Sequence, residues 1–279
     1  LLILIASCFT NIVDAVPECG QNLLHQGLLD SINERLLNVE FIDLAEQCIL
    51  CIEKLAEDYS SAVLQSGVFA SSLANIDFHA RSVHRKILHI ASLVTEEVCS
   101  DNFSYVKSTI PQLLVFMSNE DKLLSEYACV SVSNIISGVQ DDLEVLEEIC
   151  STNEVVQQII SLLSSKKFLN TSSKRVMSKI FDLLCVISQQ SVTAFEQLHM
   201  NDIGTALSSV VEFNRDYSGE SIAVLVRLLP PLSKKFHATG GMSMEKRKLL
   251  VEEYVKKEKD EMEECLDNCD PNNEFFDKT

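Results

Sequence analysis

Apolar residues recur three and four apart along most of the chain, the spacing of helices with one buried face. One such pattern, often broken by a Gly, reads LLHQGLLDSINERLL at 23–37 and VLQSGVFASSLANI at 63–76. Looser copies are YVKSTIPQLLVFM at 105–117, ICSTNEVVQQIISLL at 149–163 and LHMNDIGTALSSVV at 198–211. Their matching positions Leu36, Ile76, Met117, Leu163 and Val211 are spaced by 40, 41, 46 and 48 residues. Between the copies lies a second helical pattern: ILCIEKLAE at 49–57, RKILHIAS at 85–92, CVSVSNIIS at 129–137 and FDLLCVIS at 181–188. A degenerate copy, LVRLLPPL, stands at 225–232.

Two helical elements alternating at this period predict an array of HEAT or armadillo type. Each unit leaves an apolar face bare, so neighbours stack. The alternative is a helical bundle with coincidental spacing. The expected fold is all-α, a right-handed α-solenoid of about five armadillo/HEAT-like repeats over 1–236. A linker at 237–243, an exposed charged helix at 244–268 and a disordered acidic tail at 269–279 should follow. ILIAS at 3–7 superposes on LHIAS at 88–92, which reads as the tail of a helix whose beginning is missing, with Leu1 a truncation edge. The opening apolar run is too short to span a bilayer and has no basic leader.

Composition narrows the function. With only 8 Gly and 5 Pro in 279 residues, composition favours helices over a turn-rich β fold. No G-x-G-x-x-G or Walker loop occurs. A net charge of −18 argues against nucleic acid, which needs gathered Lys and Arg. Of ten Cys, Cys48, Cys51, Cys129, Cys150 and Cys185 sit in apolar helical contexts. They read as buried thiols in a reducing compartment, cytoplasmic or nuclear. The sequons at Asn102 and Asn170 are then chance matches.

Several pieces carry a resemblance to a family. STIPQLLVFM (108–117) resembles the second helix of an armadillo repeat, and SVSNIIS (131–137) its third, with Asn134 where armadillo proteins hold extended peptides. IDLAEQ (42–47), AVLQSG (62–67), NIDF (75–78), YVKSTIPQL (105–113), LSEYA (124–128) and LLPPL (228–232) keep their order along the chain. Together they resemble the armadillo region of HECT-type E3 ubiquitin ligases of the ubiquitin-fusion-degradation and thyroid-receptor-interacting class. The resemblance implies a recruiting arm for protein substrates or ubiquitin, with an E2 reached only through a HECT domain that these residues lack. A free-standing armadillo scaffold is the alternative. There are departures: one Gly, Gly67, replaces a Gly-Gly-type turn, and 79–84 replaces a more aromatic stretch.

No catalytic residue, metal site or cofactor is expected. Cys48 and Cys51 lack a second pair at ligand spacing, as do Cys265 and Cys269. His79, His84 and His89 read as surface or groove residues. Helical geometry from Asn134 puts Tyr127, Val130 and Asn134 on one face. The equivalents are Gln47, Leu50 and Lys54, then Ser82, Arg85 and His89, and after them Lys179, Asp182 and Val186. This mixed polar ladder is the candidate partner-binding groove. Importin-type grooves set Trp beside Asn; this chain has no Trp, which disfavours a nuclear-localisation-signal receptor. In the tail, Glu252 and Glu253 precede Lys256 and Lys257 by four, a favourable helical orientation.

Overall fold

The computed structural model describes residues 1–37, 41–152 and 154–228. Residues Leu1–Val224 form one compact unit; of the second, Leu225–Thr279, only 225–228 are described. The linker, charged helix and tail expected beyond 236 lie outside the described residues, as do Pro230 and Pro231.

Every regular element among the described residues is helical, and the elements fall into five sets behind a leading helix, α1 (Leu2–Ala15). The first set is α2 (Cys19–His25), α3 (Leu28–Leu36) and most of α4 (Ile42–Gln65). The second takes the last turns of α4, then α5 (Val68–Ala74) and α6 (Arg81–Val94). In the third, 3-10 turns at Thr95–Glu97, Ser100–Tyr105 and Lys107–Thr109 stand in for a first helix, ahead of α7 (Ile110–Met117) and α8 (Lys122–Gly138). The fourth holds α9 (Leu143–Thr152), α10 (Val155–Ser164), an added short helix α11 (Lys166–Thr171) and α12 (Lys174–Gln190). The fifth runs α13 (Val192–Met200), α14 (Ile203–Phe213), a 3-10 turn and α15 (Ser218–Leu228). The added helix α11 lies within the widest spacing of the sequence pattern, the 48 residues from Leu163 to Val211.

Local chemistry sets the boundaries. The turn from first to second helix needs a left-handed residue, supplied by Gly27 (φ 77°) and Gly67 (φ 75°). At the same place in the fifth set stands Asp202 (φ 53°), one of the few side chains that tolerate this conformation. Pro111 occupies the first turn of α7, where its missing N–H costs nothing. Asp121, Ser173 and Ser191 cap α8, α12 and α13 by accepting from Leu123, Val176 and Ala194 N–H.

The third helices α1, α4, α6, α8 and α12 pack side by side, each against the next. Their buried stripe repeats in register. Leu44, Cys48, Ile49, Ile52 and Leu55 of α4 recur as Val83, Ile87, Leu88, Ala91 and Val94 of α6. The same places are Leu124, Ala128, Cys129, Val132 and Ile135 in α8, and Val176, Ile180, Phe181, Leu184 and Ile187 in α12. A stripe of this width buries one helix on two neighbours, the condition for stacked repeats. Helix α1 is fourteen residues long, as is α6.

Helix α4 passes from the first set into the second without a loop. Tyr59 (φ −132°, ψ 39°) breaks its helical geometry there, and its hydroxyl donates to Pro17 O at 2.9 Å. Gly20 lies beneath the ring, where a Cβ would stand 2.3 Å from Tyr59 Cε2.

Candidate functional site

The candidate groove face is the row of third-helix positions in line with Asn134. In the observed register Gln47, Leu50 and Lys54 match Tyr127, Val130 and Asn134, and then Lys179, Asp182 and Val186. Helix α6 departs from expectation. Its equivalent positions are Lys86, His89 and Leu93, one turn further on than Ser82, Arg85 and His89. Ser82 and Arg85 lie instead toward the start of the helix, both exposed.

Most of these side chains tie one repeat to the next. Ser7 Oγ donates to Gln47 Oε1 (2.9 Å), and Lys54 Nζ meets Asp14 Oδ1 at 2.9 Å. Glu53 of α4 takes Lys86 Nζ at 2.7 Å and His89 Nδ1 at 3.0 Å. Burial pushes the Glu53 carboxyl up, but the hydrogen bonds and charges of His89 and Lys86 outweigh it and hold it below the usual range. The His89 ring in turn lies 5.1 Å from that of Tyr127 on α8. Arg85 places Nε and a terminal nitrogen on Asp121 Oδ2 at 2.9 and 2.7 Å. Leu50 is half-buried.

Two members of the expected ladder offer a partner little surface, because Val130 and Asn134 are 5% and 8% exposed. The Asn134 amide donates to Ser92 O and Thr95 Oγ1 across to the preceding set, at 3.4 and 3.5 Å. Its Oδ1 accepts from Lys179 Nζ of the following set at 3.0 Å. Helical spacing could locate this Asn but not the lysine that reaches it from 45 residues away. Sequence reasoning also passed over Glu53 and Lys86, whose periodicity is that of any solvated helix face.

His79 corrects the surface reading. Its side chain is only 4% exposed, 3.8 Å from Glu46 Oε1, and burial pushes its imidazole below the usual range. His84 contacts His79 O at 2.9 Å and sets its ring edge-on to Phe116. Cys48, Cys51, Cys129 and Cys150 are buried thiols, as expected; Cys185 is only half-buried. Burial pushes Cys48, Cys51 and Cys150 up to about 11 and Cys129 up to about 12. Brief alkylation of the native protein at neutral pH should therefore label exposed Cys8 and Cys99 and spare these four, read by peptide mass spectrometry. Rapid labelling of the four in folded protein would contradict this core.

Among the described residues no group of three His, Cys, Asp or Glu could hold a metal, and no helix is long and apolar enough to cross a membrane.

Comparison with known proteins places this fold and face in context. The architecture matches a designed armadillo repeat protein in complex with peptide (KR)4, with TM-score 0.61 and 14% identity, covering 80% of this chain and 91% of that one. An engineered protein matches at TM-score 0.62 and 12% identity, over 90% of this chain and 63% of its own. No protein-family model matches. In sequence, the E3 ubiquitin-protein ligase UPL3 of Arabidopsis thaliana is 25% identical over 236 residues, 84% of this chain and 12% of UPL3. The E3 ubiquitin-protein ligase TRIP12 of Danio rerio is 28% identical over 158 residues, 54% of this chain and 8% of that protein. Ubiquitin fusion degradation protein 4 of Saccharomyces cerevisiae is 22% identical over 184 residues, 66% of this chain and 12% of its own. The chain thus spans about an eighth of the length of UPL3. It is an armadillo-like α-solenoid related in sequence to E3 ubiquitin-protein ligases of the UPL3, TRIP12 and ubiquitin-fusion-degradation kind.

Proposed function

We propose that this chain is the protein-interaction arm of a HECT-type E3 ubiquitin ligase, holding a protein substrate or ubiquitin near a catalytic domain carried elsewhere in the polypeptide. The observation that carries this reading is the similarity to UPL3 over 84% of the chain, which runs across successive repeats rather than one. In this reading the arm supplies proximity. A protein held beside the ligase experiences a high effective concentration of the reactive thioester, without any chemistry from the arm itself. Partners bind the third-helix face around Gln47, Leu50, Lys54, Ser82, Arg85, His89 and Tyr127, with Val130 and Asn134 supporting it from beneath. The ties from Asp14 to Lys54 and from Glu53 to His89 hold those side chains in place before a partner arrives.

The test is made on the natural polypeptide, captured by an antibody raised against the solenoid. Incubated with E1, E2, ATP and ubiquitin, it should form a ubiquitin adduct that a thiol reductant releases, the mark of a ligase thioester. A natural polypeptide that forms neither that adduct nor any ubiquitin conjugate would leave a free-standing armadillo scaffold as the better reading.

A further inference from the structure

A row of cations stands at one set of helix starts. Helices α6, α8 and α12 begin with Arg81, Lys122 and Lys174 at equivalent positions, and Arg175 follows in α12. All four side chains are exposed. None of the three helices has an acidic residue in its first turn, although that turn favours acids and disfavours cations. The corresponding place in α4 is Ile42, followed by Asp43, so the pattern belongs to the second, third and fourth sets only.

The added helix α11 extends this row. Its Lys167 reaches back to Glu120, just before α8, at 2.7 Å. The Glu120 carboxyl is held below the usual range first by Lys167 and in smaller part by the charge of Arg81. A cavity of about 110 Å³ opens between α8 and α11, with Lys122 and Lys167 in its wall beside Ser118, Ser161 and Ser165. The acids of this edge are largely engaged. Asp121 is taken by Arg85 and by the cap of α8, Glu120 by Lys167, and Glu126 lies 3.9 Å from Lys122. Arg81, Lys166, Lys174 and Arg175 hold no ion pair among the described residues.

We propose that this edge, from Arg81 through Lys122 to Lys174 and Arg175, docks an Asp- and Glu-rich segment of a partner protein. Cations aligned at three helix starts stand where the helix itself opposes them, and an external anion would relieve that opposition. The whole chain carries a net −18, so a large polyanion meets repulsion away from this short row, whereas a short acidic segment meets only the row. Neighbouring helices sit about 8–10 Å apart, so the three starts span roughly 20 Å. An extended chain covers that in about six residues. This inference is independent of the ligase reading, since a scaffold would present the same edge.

The test uses the full chain and a fluorescein-labelled peptide of alternating Asp and Glu, with its Asn and Gln counterpart as control. Fluorescence anisotropy at low salt should show binding of the acidic peptide alone, weakening as salt is raised. Arg81→Glu with Arg175→Glu should weaken it about tenfold or more, while Lys107→Glu, outside this edge, leaves it unchanged. Thermal melts check folding, and Arg81→Gln with Arg175→Gln serves if the reversed pair is unstable. No binding at low salt, equal binding by the paired variant, or equally tight binding of single-stranded DNA would overturn the proposal.

Discussion

Replacing Gly138 with Ala should destabilise the protein by about 3 kcal/mol, the upper range for forcing atoms into a filled site. An exposed helical Gly normally gives the opposite result, since Ala is the better helix former by up to about 1 kcal/mol. Here the reversal comes from packing. Gly138 ends α8, and a Cβ on it would stand 2.1 Å from the carbonyl oxygen of Val98 and 2.9 Å from its carbon. Both contacts are to backbone, so no rotamer change relieves them; the segment after Thr95–Glu97 must move. Gly219→Ala is the control, because nothing lies within 4 Å of its added Cβ. Urea melts of the two variants decide the matter. A Gly138→Ala protein as stable as the wild type would show that α8 and Val98 do not approach this closely.

Loss of the Glu147 carboxylate should loosen the junction between the fourth and fifth sets by about 2 kcal/mol, the scale for a half-buried charge-assisted network. Glu147, on α9, accepts from Ser191 Oγ at 2.7 Å, Val192 N–H at 3.0 Å and Thr193 N–H at 2.9 Å, and from the Thr193 hydroxyl as well. These donors form the start of α13, so a side chain from one repeat closes the helix end of the next. Burial alone would push the carboxyl up. The hydrogen bonds from Thr193, Ser191 and the two amides outweigh it, and the group titrates below the usual range. Its stabilisation is therefore complete above the unfolded value of about 4.3 and fades as pH falls through the lower folded value. Hydrogen exchange should show α13 amides losing protection in Glu147→Ala near neutral pH, and in the wild type only under acid. Gln is a poor replacement, because it offers one oxygen where several donors converge. Unchanged exchange at Ala194 in Glu147→Ala would sink this account.

The repeat was legible because its signals are local. Apolar spacing marked the second and third helices, and Gly27 and Gly67 punctuated the turns they shape. The register of α6 was not legible to within a turn. RKILHIAS can be slid along CVSVSNIIS by one turn and keep its apolar matches, and no Gly or Pro pins it. The replacement of a first helix by 3-10 turns at 95–109 was hidden for a similar reason, since only the helix that follows carries a strong stripe. The groove partners were least visible. Glu53 with His89, Arg85 with Asp121 and Asn134 with Lys179 each join residues 36 to 45 positions apart. Such pairs exist only once the stack has formed, and no periodicity within one helix announces them. The cationic starts of α6, α8 and α12 could have been noticed earlier, because Arg81, Lys122 and Lys174 each stand just before an apolar stripe.

The kink of α4 at Tyr59 has a mechanical consequence. Where two repeats are joined by a loop, as Val139 and the turn after it join α8 to α9, the array can bend by rotating a few backbone dihedrals. At Tyr59, where two helical runs meet at a kink, bending must also strain the hydrogen bond from the Tyr59 hydroxyl to Pro17 O. The two junctions thus differ in what opposes a change of curvature: backbone dihedrals alone at one, and a side-chain tie spanning 42 residues of sequence at the other.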